Sequence, residues 1–166
     1  MPARPLEFLV APDAPTIVTR RVVAAPRALV FEAFTTAAHL ARWLGPHALT
    51  LVVDRHDLRV GGSYRFVHRA ADGQEVAFHG TYREIVRPER LVRTWVFEPL
   101  PEDEAVETTV LATSAGLTTI TTTSVHRTIA ARDLHVAGGD MQAGMVEAYE
   151  RLDELLVELQ ATSGRR

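Results

Sequence analysis

The sequence predicts an α+β domain in which an antiparallel sheet packs against one long C-terminal helix. Three observations carry this reading. Turn signals recur at strand-like intervals from Ala48 to His126. One strand and a pair of short helical segments precede them. From Met141 to Leu159 the apolar period lengthens from two residues to 3.6. A one-sided apolar sheet and a one-sided apolar helix each need the other to exclude water.

Thr16 to Ala24 is rich in β-branched residues and reads as the first strand; Ala25-Pro26 ends it, and Pro26 suits the first turn of a helix. Leu29, Val30, Ala33 and Phe34 then recur at helical spacing. Thr36 is a candidate cap for a second short helix holding Leu40 and Trp43, which Gly45-Pro46 stops. Leu49 to Asp54 is a strand. Gly61-Gly62 opens the next, Ser63 to His68, and Asp72-Gly73 closes it as a hairpin turn. Glu75 to Val86 and Arg90 to Glu98 follow, separated by Pro88. Beyond the acidic, proline-containing loop, Ala105 to Thr113 pairs through Ser114-Ala115-Gly116 with Leu117 to His126.

In the last segment Met141, Gly144, Met145, Ala148, Leu152, Leu155, Leu156 and Leu159 share one face. Asp140 is a candidate cap. Glu147 and Arg151, four apart, stand in the favourable order for a helical ion pair. The expected division is an extension over residues 1–15, one domain over 16–160 and a tail over 161–166.

Composition narrows the function. At 166 residues the chain is long enough for one domain with a substantial core. A net charge of -3 offers phosphates no general attraction, so no nucleic acid partner is expected. All 18 basic residues are arginine, which reads as compositional bias before it reads as a binding surface. The absence of cysteine removes disulfides, thiol nucleophiles and thiolate metal sites. No segment is long and apolar enough to span a bilayer or to form a signal-peptide core, so the expectation is a cytoplasmic protein with no membrane partner.

Few residues announce chemistry. The seven histidines include no H-x-H or H-E-x-x-H pair, so no metal and no cofactor is expected. Asp54 and Asp57 flank His56 in what reads as a solvated surface turn. The serines carry no activating motif, and no catalytic residue is assigned. The aromatic residues are more informative. Tyr64, Phe66 and His68 share one strand face, Phe78 and Tyr82 a second, and Arg93, Trp95 and Phe97 a third. With Trp43 before the sheet and Met141, Met145 and Tyr149 on the last helix, these twelve are the candidate ligand-binding residues.

Four stretches, in this order, also resemble a known family: Phe34-Thr35-Thr36-Ala37-Ala38-His39-Leu40-Ala41-Arg42-Trp43-Leu44-Gly45-Pro46; Asp57-Leu58-Arg59-Val60-Gly61-Gly62-Ser63-Tyr64-Arg65-Phe66; Phe78-His79-Gly80-Thr81-Tyr82-Arg83-Glu84-Ile85; and Pro88-Glu89-Arg90-Leu91-Val92. They are similar to the bacterial relatives of the C-terminal domain of the Hsp90 ATPase activator, within the START/Bet v 1-like (SRPBCC) superfamily. The resemblance covers about Thr16 to Leu159. It implies a helix-grip fold: a curved sheet wrapped round the long helix, two short helices after the first strand, and a cavity between sheet and helix. It further implies noncatalytic binding of a small apolar or amphipathic molecule. Its alternatives are a polyketide cyclase-like enzyme and a co-chaperone of an Hsp90-like ATPase. Relatives often pair, so a homodimer is a further expectation. Two departures bear on any ligand. Trp43 is followed by Leu44 where many relatives have a second tryptophan, and Gly144 by Met145 where many have tryptophan.

Overall fold

The structure, a computed structural model, describes residues 4–137 and 139–165. In chain order the elements are β1 (Glu7–Val10), β2 (Thr16–Val23), α1 (Arg27–Thr35), α2 (Ala37–Trp43), β3 (Leu49–His56), β4 (Ser63–Ala70), β5 (Glu75–Val86), β6 (Arg90–Phe97), β7 (Glu104–Ser114), β8 (Leu117–Val125), α3 (Ile129–Val136) and α4 (Asp140–Ser163). The eight strands form one sheet in the order β1-β2-β8-β7-β6-β5-β4-β3, and neighbours run antiparallel. β3 to β8 are a simple meander. The first and last strands of the predicted set, β2 and β8, close up side by side, with Val22 opposite Thr119.

Alternation along β2 and β8 places Ile17, Val23, Thr118 and Ile120 on the covered face, each at most 2% exposed. Bulges between Val53 and Arg55 and between Tyr82 and Glu84 interrupt two ladders, and such insertions bend and twist a strand. Gly80 is a second structural requirement. A β-carbon there would stand 2.0 Å from the Thr94 carbonyl oxygen and 2.8 Å from the Tyr64 hydroxyl. The bare backbone lets the Tyr64 ring lie across its register partner Gly80 and donate its hydroxyl to Thr94 O at 2.5 Å.

α4 covers the sheet. Its 24 residues extend about 36 Å at 1.5 Å per residue. Ala148, Tyr149, Leu152, Leu155 and Leu156 are buried, and Leu152 joins Val23, Val30, Phe31, Leu40 and Trp43 in one core with α1 and α2. Each buried leucine stabilises by about 2 kcal/mol. Polar ties hold the C-terminal half of the helix. Arg21 pairs with Asp153, Arg42 with Glu158 at 2.6 Å, and Gln160 donates to Ala24 O at 2.9 Å.

Two elements went unpredicted, and three local expectations are corrected. Residues 1–15 contain a strand, β1, a four-residue edge too short to stand out between prolines. α3 also went unpredicted: Ile129 and Leu134 are exposed and the residue it buries is Arg132, so no buried apolar face marks it, but Thr128 caps it through Ala131 N–H, and Arg132 pins it by donating to the carbonyls of Ala11 and Ala14. Thr36 and Asp140 do not cap with their side chains: Thr36 makes no such bond, and the α4 cap is Gly139, with Asp140 already in the first turn. Glu147 and Arg151 do not pair with each other. Glu147 accepts His47 N–H at 2.7 Å and Arg151 donates to Gly45 O at 3.0 Å, so both clamp the loop after α2.

The α4 packing predicts a contrast between neighbouring substitutions. Leu152→Asp should destabilise by more than about 3 kcal/mol, because it buries a carboxylate with no partner. Glu150→Ala, on the exposed side, should change stability by less than about 0.5 kcal/mol. Urea midpoints measure both, and equal midpoints would contradict the packing.

Candidate functional site

The inward side chains of α4 change size along its length, and a cavity results. Leucines at 152, 155 and 156 fill the space towards the C-terminal end. Towards the N-terminal end the same face carries Met141, Gly144, Met145 and Ala148. There helix and sheet stay apart around a cavity of about 470 Å³. The Leu44-Gly45-Pro46 loop borders one side; Leu134 and His135 of α3 border the other. Gly45 has φ +113°, and a β-carbon on it would lie 2.5 Å from His68 Cε1, so glycine here serves both the backbone turn and the close approach of the His68 ring.

The sheet wall is a run of aromatic rings. Phe78 stacks on Trp95 with centroids 5.1 Å apart and on Phe97 at 5.2 Å; His68 meets Phe78 edge to face at 5.3 Å. Phe78, Trp95 and Phe97 are only half-buried although they point inward, because part of each ring faces the cavity. Phe66 completes this wall, and Met141 and Met145 oppose it from α4.

One ion pair interrupts the apolar lining. Arg93 and Glu107 are register partners on β6 and β7, joined at 2.9 Å from Nε and 2.8 Å from Nη2 to Glu107 Oε1. The Arg93 guanidinium also lies 4.8 Å above the Tyr64 ring. Burial opposes its charge, but the Glu107 carboxylate, paired and hydrogen-bonded with it, outweighs this and holds Arg93 protonated.

At the α3 end, Asp103 Oδ2 accepts from His126 Nδ1 at 2.6 Å and from His135 Nε2 at 2.7 Å, and Asp103 Oδ1 accepts from Arg127 N–H at 3.2 Å. Burial pushes the Asp103 carboxyl up, but these hydrogen bonds together hold it below its ordinary range. His126 Nε2 and His68 Nδ1 are buried without a hydrogen-bond partner among the described residues.

Of the twelve residues singled out in the sequence, Phe66, His68, Phe78, Arg93, Trp95, Phe97, Met141 and Met145 line this cavity. The other four do not. Trp43 donates Nε1–H to Ala33 O at 2.8 Å and packs on Phe34 and Tyr149 in the core. Tyr64 and Tyr82 are buried beyond the cavity's end, their hydroxyls turned to Thr94 O and His56 Nδ1. Burial pushes the Tyr149 hydroxyl up to about 12, so it stays protonated within the packed helix face. His56 is no surface residue: it is half-buried, its Nε2 2.7 Å from Thr35 O, while Asp57 pairs with Arg59. Sequence reading also missed Glu107, His126 and His135. Glu107 carried a usable signal, a carboxylate in a β-strand next to the one holding Arg93. His126 and His135 carried none, since their meeting depends on α3.

Sheet, helix and cavity together define a helix-grip protein of the START/Bet v 1-like class. The chain belongs to the family described as activator of Hsp90 ATPase homolog 1-like protein, whose model matches residues 24–157. Solved structures agree. A Rhodobacter sphaeroides protein is similar at 26% identity with a TM-score of 0.82, over 93% of this chain and 99% of that one. Protein CV1439 from Chromobacterium violaceum is 30% identical with a TM-score of 0.74, over 85% and 96%. CalU16 from Micromonospora echinospora shares the fold at 20% identity and a TM-score of 0.60, over 99% and 93%. No functionally curated protein matches the sequence. No helix among the described residues is long and apolar enough to cross a membrane.

Two histidines, His56 beside the packed core and His68 in the cavity wall, predict a pH dependence of stability. Burial, then the nearby Arg93, lowers His56 from its ordinary 6.5; burial, then Arg151, lowers His68. The unfolded chain therefore binds more protons than the folded one as pH falls below about 6.5. Stability from these groups is full above that pH and is lost as the solution is acidified. The urea midpoint should fall between pH 7.5 and 5.5, and His68→Gln should lessen the fall. A midpoint that is flat or rises on acidification would contradict two neutral, buried rings.

Proposed function

We propose that this protein binds a small, largely apolar molecule in the cavity between sheet and helix, without chemical change to it. The observation that carries the reading is the half-exposed aromatic wall of Phe78, Trp95 and Phe97 facing Met141 and Met145 across about 470 Å³. Small-molecule sites have volumes of roughly 300–1,000 Å³ and mostly apolar linings with few fixed polar groups. Left to water, such a wall forfeits the gain from burying its rings, about 25 cal/mol per Å². Methionine side chains adapt their shape to an occupant. The Arg93–Glu107 pair gives the wall a donor group and an acceptor group side by side, which suits an amphipathic molecule with its polar end there. Leu44 and Met145, at the two departures from the common family pattern, both border the cavity, so the shape it offers is this chain's own.

Enlarging Met145 tests the reading. An apolar fluorescent probe such as 1-anilinonaphthalene should bind the unmodified protein at one site. Met145→Trp should weaken that binding at least tenfold while shifting stability by less than about 1 kcal/mol, since the added ring occupies free volume. In a filled core the same change would overpack and cost about 1–3 kcal/mol. No probe binding, together with a markedly lower melting temperature for the variant, would leave a solid core and no ligand site.

A further inference from the structure

The cluster at the α3 end of the cavity has the makings of a metal centre. Asp103 precedes β7, His126 follows β8 and His135 stands in the last turn of α3, yet their side chains meet and are 6%, 1% and 4% exposed. A buried carboxylate ordinarily has a cationic partner or a metal. Among the described residues, Asp103 forms ion-pair contacts with these two imidazoles and with no arginine. The Arg127 guanidinium, next in sequence to His126, turns instead to Glu102 O at 2.9 Å. The carboxylate is held by two imidazole nitrogens and one backbone N–H, in a buried spot where one small cation would meet a carboxylate and two imidazoles together.

We infer that Asp103, His126 and His135 form a binding site for a divalent transition-metal ion of the Zn²⁺ type, with Asp103 Oδ2, His126 Nδ1 and His135 Nε2 as ligands. These three atoms lie within 4.8 Å of one another. Two imidazoles and one carboxylate suit Zn²⁺, Co²⁺, Ni²⁺ or Fe²⁺ over Ca²⁺ and Mg²⁺, which favour oxygen. Bonds of about 2.1 Å at tetrahedral angles place ligand atoms about 3.4 Å apart. The present 2.6 and 2.7 Å contacts must open by about 0.7 Å, within reach of side-chain rotation, while the His126 ring proton moves to Nε2 and the His135 ring proton to Nδ1. The Arg127 N–H on Asp103 Oδ1 is the outer partner that orients the ligating carboxylate. His126 and His135 both border the cavity, so a fourth coordination position would open towards a bound molecule. This departs from the expectation drawn from histidine spacing, and it does not depend on the cavity holding an organic ligand.

The test uses the full chain after chelator treatment, titrated with Co²⁺ and with Zn²⁺. One ion per chain should bind, Co²⁺ should develop visible ligand-field absorption, and Zn²⁺ should raise the melting temperature. Asp103→Asn and His135→Ala should each weaken affinity at least 100-fold, whereas His47→Ala, at an exposed site, should not. Urea midpoints of the ion-free variants separate loss of the site from loss of the fold. If His126→Ala does not fold, the other two variants decide. Absence of stoichiometric binding, or binding that Asp103→Asn and His135→Ala leave unchanged, overturns the inference.

Discussion

The inner face of the sheet must be kept from water, and α4 is the long element that does it. The rest of the molecule follows from how α4 meets that obligation unevenly. Leu152, Leu155 and Leu156 interlock with α1, α2 and the sheet and anchor the helix. One to three turns earlier, Met141, Gly144, Met145 and Ala148 are too small or too flexible to reach the opposite wall. A helix is rigid over this length, so it cannot dip to close the gap, and anchoring one end fixes the separation at the other. Arg151 and Glu147 hold the Gly45–His47 loop beside the gap, and Arg132 holds α3 at its far side. The cavity is thus a product of side-chain size on one helix face, framed by polar ties that cost the sheet nothing.

The same frame explains the distribution of polar groups. Arg93, Tyr64 and Tyr82 form a charged and hydroxylated boundary where the packed core begins, with the tyrosine hydroxyls committed to Thr94 and His56. At the other end stand Asp103, His126 and His135. Between them lies the apolar aromatic wall. A molecule in the cavity would meet an arginine–carboxylate pair on one flank and an imidazole pair on the other, with rings and thioethers along its length. Such a layout favours elongated occupants with polar ends over compact, wholly apolar ones.

Much of this was legible in the sequence. Period-two and period-3.6 patterns placed seven strands and the long helix, and strand parity put Phe66, His68, Phe78, Arg93, Trp95 and Phe97 on inward faces. Parity names a face but not a position along it. Tyr64 lies two residues from Phe66 on the same face, and that single step carries it from cavity wall into packed core. Tyr82 was misplaced for the same reason, and Tyr149, on α4, because it packs on Trp43 in the core and not into the cavity. The Asp103 cluster was illegible because it depends on α3, which buries an arginine and no apolar face, and on residues 23 and 32 positions apart. β1 and α3 are held by edge pairing and by one buried arginine, neither of which leaves a periodic trace.

The account stands on the proposal that a small, largely apolar molecule enters between α4 and the aromatic wall. Methyl-¹³C labelling of methionine measures this directly, since Met141 and Met145 both border the cavity. Their signals can be assigned with Met141→Leu and Met145→Leu. On titration with 1-anilinonaphthalene, both methyl signals should shift with the same saturation curve as the probe's fluorescence, displaced by the ring currents of the probe and of Trp95. A probe that binds while both methyl signals stay in place would put the binding site elsewhere and contradict the account.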